Sequence, residues 1–220
     1  MGLPDPEERL GGDQDDPADS ADGSESATPS DVPDVLRDGS PRQILERLMA
    51  GDPLELWPRS RERIETLAFL VDPARVELRS MARVAYSAPR YRGVPPLGKW
   101  IADLIDRAIG EVANEDREAE RDGLPLPDAS EAAFRFVSDL LGIEPLLARR
   151  ATVAFNSLPS EVRSAWFAVA VLGKTVHRYV AEGHGPPEVV RAHMKLALET
   201  IDRAIGRHGG AHDVGDGCGG

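Results

Sequence analysis

Apolar residues recur every three or four positions through most of the chain from residue 41 onwards, and this spacing predicts amphipathic α-helices. In the first half the apolar stripes predict four helices. The first carries Ile44, Leu48 and Met49 and ends at Gly51, and the others span residues 59–71, 74–88 and 97–114. Asp72 is a natural N-cap for the third of these helices, with Pro73 at its first position.

The second half continues the same pattern. Ser130 is a suitable cap for a helix whose apolar stripe starts at Phe134, and a further helix follows over residues 144–155. Residues 158–205 then predict three helices. The sequence therefore predicts an all-α fold.

These last three helices have clear boundary signals. Ser160 and Thr175 are suitable N-caps for the first two, and Gly173 is a suitable C-cap between them. Gly183 and Gly185 end the second helix, and Pro186 or Pro187 suits the first turn of the third. A short helix, a glycine turn and a longer helix form the outline of a helix-turn-helix.

A change in composition divides the chain. Residues 111–128 are highly charged and end in Gly and Pro, which predicts a fraying helix followed by a linker. We expect two small helical domains over residues 41–116 and 130–206, joined by a linker over 117–129. Residues 1–40 and 207–220 are poor in periodic apolar positions and are predicted to be disordered tails.

The negative charge of the chain is concentrated in the first tail. The formal net charge is −12, of which residues 1–40 contribute −10, so that the remainder is nearly neutral. An acidic tail of this kind acts as a solubility device, or it competes with DNA for a basic surface on its own chain.

Several functional classes have no support in the sequence. No apolar run approaches the ~20 residues that span a bilayer, so no membrane association is expected. The single cysteine, Cys218, permits no disulfide within one chain, which fits a reducing cytoplasm. His208 and His212 lie in a Gly-rich tract that offers no ligand cage, so no metal is expected. Motifs for phosphate loops, nucleophile elbows and zinc proteases are absent, and we expect neither an enzyme nor a cofactor.

Two stretches could contact nucleic acid. On the last helix, Arg191, His193 and Lys195 project from the first two turns together with Glu188, where a recognition helix contacts DNA; the alternative is an ordinary solvated helix face. Earlier, cationic and aromatic residues alternate around Tyr91. Such a stretch can hold phosphates and stack unpaired bases, or it is a proline-rich loop whose rings cover the core. The residues of this second stretch are Arg90, Tyr91, Arg92, Lys99, Trp100 and Arg107.

Both stretches resemble parts of sigma-70 family transcription factors, most closely the extracytoplasmic-function group. Residues 158–167 (LPSEVRSAWF), Gly173-Lys174-Thr175-Val176 and Glu188-Val189-Val190-Arg191 are similar to region 4, which reads the −35 promoter element. The Tyr-Arg-Gly-x-Pro-Pro-Leu-x-x-Trp-Ile motif, residues 91–101, and the Ile-Asp-Arg-Ala-Ile segment at 105–109 are similar to the end of region 2.

The resemblance implies a transcription initiation factor that binds promoter DNA and core RNA polymerase. Region 2 would melt the −10 element near Tyr91, Trp100 and the neighbouring cations, and the helix over residues 74–88 would bind polymerase. An anti-sigma protein is a further partner that the family suggests. The alternative is a sigma-derived helical module that holds a protein partner and no longer binds DNA. The weak basic charge of the last helix and the lack of an acidic patch at residues 76–83 favour that alternative.

Overall fold

The computed structural model describes residues 32–124 and 128–206, and for residues 128–133 it describes the helical backbone only. This part of the chain is all-helical and contains no strand. None of its helices combines the length and the apolar character that a membrane span requires. The helices are α1 (Pro41–Met49), α2 (Leu56–Leu67), α3 (Pro73–Ser87), α4 (Leu97–Arg121), α5 (Asp128–Leu141), α6 (Pro145–Asn156), α7 (Ser160–Trp166), α8 (Val176–Ala181) and α9 (Pro187–Ala204).

Helices α1 to α4 surround one hydrophobic core. The long helix α4 places Ile105 and Ile109 at its centre, where both side chains are fully buried. Helix α3 packs beside α4 and contributes Val76 and Val84. The apolar stripes that predicted these helices are therefore the faces that meet.

The segment before α1 is part of this core. Residues 34–36 form a single 3-10 turn, and Leu36 is buried among the core residues. Arg47 of α1 donates hydrogen bonds to the carbonyl oxygens of Arg37 and Asp38. The prediction of a disordered tail up to residue 40 was therefore wrong for residues 32–40. Residues 1–31 and 207–220 lie outside the described part of the chain.

Helix boundaries follow local capping chemistry. As predicted, Asp72 caps α3 through its side chain, and Pro73 and Pro187 are the first residues of α3 and α9. The prediction for α2 was displaced: the carboxylate of Asp52 accepts hydrogen bonds from the amides of Leu56 and Trp57, so the helix begins at residue 56. It ends at residue 67 because Ala68 is left-handed, with a φ of 52°.

Two other predicted caps were wrong. The N-cap of α7 is Pro159, and no side chain caps that helix, so Ser160 is its first residue. Helix α5 begins at Asp128, two residues before Ser130. Thr175 does cap α8: its hydroxyl accepts a hydrogen bond from the amide of Arg178 at 3.1 Å.

This contrast gives a matched pair of variants. We expect Thr175→Ala to lower the free energy of unfolding by about 1 kcal/mol, because an orphan amide loses its acceptor. Ser160→Ala should leave it nearly unchanged, since the Ser160 side chain does not cap its helix. Urea titration monitored by circular dichroism measures both. Equal losses in the two variants would contradict the assignment of the caps.

A second core lies among α5, α6, α7 and α9. Phe155 and Trp166 are its largest fully buried side chains, with ring centroids 4.9 Å apart. This core also contains Ala68 and Leu70, which belong to the link between α2 and α3. The second half of the chain is thus packed against a segment of the first.

Polar contacts fix that link in place. The side-chain amide of Asn156 donates to the carbonyl oxygen of Leu70 at 2.8 Å and accepts from its amide at 2.9 Å. Arg163 donates to the carbonyl oxygen of Leu67 and covers the ring of Phe69, with its guanidinium carbon 4.1 Å from the ring centroid. Residues 67–70 therefore form a polar and apolar contact with α6 and α7.

Helix α4 extends further than the sequence predicted. It continues to Arg121, so the first five residues of the predicted linker, 117–121, are helical. Residues 122–124 follow as a turn, and residues 125–127 lie outside the described chain. The charged end of α4 is ordered because its carboxylates pair with arginines of α3 and α6.

Candidate nucleic-acid interface

Helices α8 and α9 form a compact pair on α7. Between them, Gly183 and Gly185 take positive φ values of 92° and 88°, which glycine adopts without strain. Tyr179 of α8 and Val190 of α9 are buried together with Ala165 of α7 in a small third cluster. The structure thus contains the short helix, glycine turn and longer helix in the order that the sequence predicted, packed on α7.

The solvent face of α9 carries two of the predicted cations. Arg191 and Lys195 are exposed, and their spacing of four residues places them side by side. Lys195 approaches Glu199 at 3.7 Å in a highly exposed pair, while Arg191 forms no salt bridge within the described residues. Glu188 is also exposed and sits one turn before them. Both cations can reach a polyanion without first breaking a buried contact.

His193 has a different position from the two cations. It is half-buried and lines a cleft of about 330 Å³ together with Glu161, Tyr179 and His184. The ring of His184 stacks on that of Tyr179, with centroids 4.1 Å apart. His193 follows Arg191 by two positions, and side chains two positions apart on an α-helix point in roughly opposite directions. The sequence therefore grouped His193 with a face to which it does not belong.

The cations next to α8 are already paired. Lys174 lies 2.6 Å and Arg178 3.4 Å from the carboxylate of Glu182. The hydrogen bond from Lys174 and the charges of both cations lower the pKa of Glu182. These groups hold the two ends of α8 together and leave little unpaired charge there.

The region around Tyr91 is more closed than a base-stacking platform requires. Tyr91 is buried, its hydroxyl donates to the carbonyl oxygen of Pro95 at 2.9 Å, and its ring stacks on that of Trp100 at 4.3 Å. Trp100 in turn packs against the first core. This geometry agrees with the alternative in which the two rings cover the core.

The neighbouring cations remain on the surface. Arg92 donates to the carbonyl oxygens of Pro89 and Tyr91, and Lys99 and Arg107 are exposed. Arg90 lies over the ring of Tyr86, with its guanidinium carbon 5.8 Å from the centroid. Tyr86 is 65% exposed, and the sequence interpretation missed it. The sequence did contain a signal for Tyr86, because this aromatic residue lies outside the apolar stripe of α3.

A row of ion pairs between α3 and α4 was also missed. The sequence predicted a fraying helix end over residues 111–128, but within it Asp116 is buried and accepts a hydrogen bond from Arg75 at 2.6 Å. Burial raises the pKa of Asp116, against the lowering effect of Arg75. The other pairs of this row are Arg75–Glu115, Arg79–Glu115, Arg79–Glu111 and Arg83–Glu111.

The arginines of α3 are therefore neutralised within the chain, and the exposed cations of α9 are the better candidates for contact with a polyanion. In the described residues no three His, Cys, Asp or Glu side chains are grouped as a metal site would require; His208, His212 and Cys218 lie outside that part. Comparison of the chain with protein-family models, curated proteins and solved structures finds no match.

Proposed function

We propose that the chain is a DNA-binding transcription initiation factor that directs core RNA polymerase to promoters in the cytoplasm. The observation that carries the proposal is the pair of exposed cations, Arg191 and Lys195, on the longer helix of the short helix, glycine turn and longer helix formed by α8 and α9. Recognition helices use their N-terminal half to enter the major groove, and both cations lie in that half of α9.

The two cations would have different roles. Arg191, in the second turn, can reach a base edge or a phosphate, and a guanidinium pairs bidentately with guanine. Lys195 lies one turn later and suits a phosphate oxygen. Glu188 and Glu199 flank them and reduce the local positive charge, so binding would be weak and is best measured at low salt.

The first half would supply a second contact. Four exposed cations lie along residues 90–107, and Tyr86 offers an exposed ring beside the first of them: Arg90, Arg92, Lys99 and Arg107. An aromatic face next to cations suits an unpaired base and its phosphate. Tyr86 is thus a more accessible stacking residue than Tyr91.

The test is a double substitution on α9. Arg191→Ala with Lys195→Ala should weaken binding to a random-sequence DNA duplex pool about tenfold or more at low salt. It should also flatten the salt dependence by up to about two units of slope, because two fewer counterions are released. Gel-shift titrations at several salt concentrations measure both quantities.

A matched control is available on other helices. Arg42 of α1 and Arg135 of α5 are exposed cations on different faces, and replacing both by alanine changes the net charge by the same amount. This variant should bind DNA like the wild type. If this variant loses as much affinity as the α9 variant, the attraction to DNA depends on the net charge of the protein, and α9 has no special role.

A second candidate is a helical module that binds a protein partner without DNA. It is favoured by exposed apolar residues on the helices concerned: Leu78 on α3 is 56% exposed, and Leu196 and Leu198 on α9 are 43% and 45% exposed. Pull-down against core RNA polymerase and gel shift with DNA separate the two candidates. Polymerase or anti-sigma binding without any DNA contact would favour the module.

A further inference from the structure

A cavity of about 320 Å³ lies where the two halves of the chain meet. Ile64 of α2 and Leu70 and Val71 of the α2–α3 link form one side. Val137 of α5 and Thr152 of α6 form part of the other. Small-molecule sites commonly occupy such positions between packed units, with volumes of about 300–1,000 Å³.

The lining is unusually rich in phenylalanine. Four of the five phenylalanines of the chain contribute to it: Phe69, Phe134, Phe136 and Phe167. Aromatic side chains favour flat aromatic partners, through offset stacking and edge-to-face contacts. The volume is about twice that of an engineered apolar cavity of ~150 Å³ that binds benzene, which suits a molecule of two fused rings.

The polar groups of the cavity restrict its ligand further. Thr152 is 1% exposed, and its hydroxyl has no hydrogen-bond partner in the described part of the chain. A buried hydroxyl of this kind gains from a partner that an incoming molecule brings. Arg61 and Glu65 also line the cavity and are exposed; among the described lining residues their opposite charges cancel, which favours a neutral ligand.

We propose that this cavity binds a small neutral aromatic molecule of two fused rings that carries one polar group. The rings lie among the phenylalanines, and the polar group reaches the Thr152 hydroxyl. Because its walls come from both halves, the bound molecule holds the α2–α3 link against α5 and α6. The site is separate from the exposed face of α9, so this inference stands or falls independently of DNA binding.

The test uses the full chain with 1-naphthol and naphthalene as probes. Methyl NMR spectra should show shifts at Ile64, Leu70, Val71 and Val137, and calorimetry should give dissociation constants of about 0.1–1 mM, as expected for molecules of this size. Methyl groups of α1, such as those of Ile44, serve as the internal control and should not shift. Absence of shifts at the cavity methyls at saturating probe would overturn the proposal.

Two variants sharpen the result. Thr152→Val keeps the shape of the side chain. We expect this variant to weaken the binding of 1-naphthol about threefold to tenfold and to leave the binding of naphthalene unchanged, because only the first probe carries a hydroxyl. Val137→Trp should fill the cavity and abolish binding of both. If Val137→Trp fails to fold, the wild-type spectra and Thr152→Val still decide. If Thr152→Val weakens the binding of both probes equally, the Thr152 hydroxyl does not bind the polar group of the ligand.

Discussion

Replacement of Arg75 by methionine is expected to lower the free energy of unfolding by about 3–5 kcal/mol at pH 7, because it leaves a buried carboxylate without its counter-ion. Asp116 is 6% exposed, and Arg75 is the group that donates to its Oδ1 atom. Its Oδ2 atom has no hydrogen-bond partner in the described residues. Arg75 therefore supplies the hydrogen bond and the largest charge that compensate the burial of this carboxylate, and Arg149 contributes a smaller favourable charge.

The penalty should shrink as the pH is lowered. Burial already raises the pKa of Asp116, and removal of Arg75 takes away the hydrogen bond and charge that oppose this shift. A carboxyl whose pKa is higher in the folded than in the unfolded state binds a proton more readily when folded, so folding is favoured by acid. The difference between Arg75→Met and wild type should thus narrow as the pH falls from 7 towards the unfolded pKa of the group.

Two further variants test the cause. Arg75→Met with Asp116→Leu removes both charges and should recover most of the lost stability, since buried pairs can often be replaced by apolar groups. Arg42→Met breaks only the exposed pair with Glu46 and should have almost no effect. Guanidinium titrations between pH 5 and 7 would measure all of them. A double variant no more stable than Arg75→Met would show that the pair has another role.

The same pair explains why the sequence misplaced the end of α4. Residues 111–121 have a charged composition that is typical of a fraying end, and no local signal distinguishes them from a linker. Their partners, Arg75, Arg79 and Arg83, lie 28–41 positions earlier. Pairing between helices overrode local composition: the packing of α3 on α4 supplies partners for residues 111–116, and Arg149 and Arg150 of α6 pair with Glu120.

Signals that act within one turn were predicted more successfully. The caps at Asp72 and Thr175 were correct because an N-cap bonds to amides two or three residues away. Asp52 was missed as a cap because its carboxylate reaches residues four and five positions later. The apolar stripes likewise predicted which faces are buried, although they could not show that Ala68 and Leu70 enter the second core.

For the candidate interface, the sequence predicted exposed cations on α9 but could not resolve its faces. Arg191 and Lys195 share one side, whereas His193 turns into the cleft beside His184. Around Tyr91 the alternation of rings and cations did not reveal that Tyr91 and Trp100 stack on each other. A pattern of residue types indicates which chemical groups are present, whereas the direction of each side chain depends on its neighbours in space.

The second large expected effect on the free energy of unfolding concerns the contact of the two halves through the α2–α3 link. Asn156→Ala should lower the free energy of unfolding by about 2–4 kcal/mol, because the buried amide and carbonyl of Leu70 both lose their partner. Leu70 is 4% exposed, so water does not readily replace the lost side chain. Ser157→Ala, which removes an exposed hydroxyl bonded to the carbonyl oxygen of Val153, is the adjacent control and should have little effect.

Hydrogen exchange shows whether this loss is local to the link. The amide of Leu70 donates to Asn156 and should exchange slowly in the wild type and much faster in Asn156→Ala, while amides at the centre of α4, such as that of Ile109, should change less. Asn156→Asp keeps the acceptor for this amide and loses the donor to the Leu70 carbonyl. The protection of the Leu70 amide in this variant should therefore fall between its values in the wild type and in Asn156→Ala. If protection is lost equally in α4 and at Leu70, the link is part of one cooperative unit; if it is unchanged at Leu70, Asn156 does not hold the halves together.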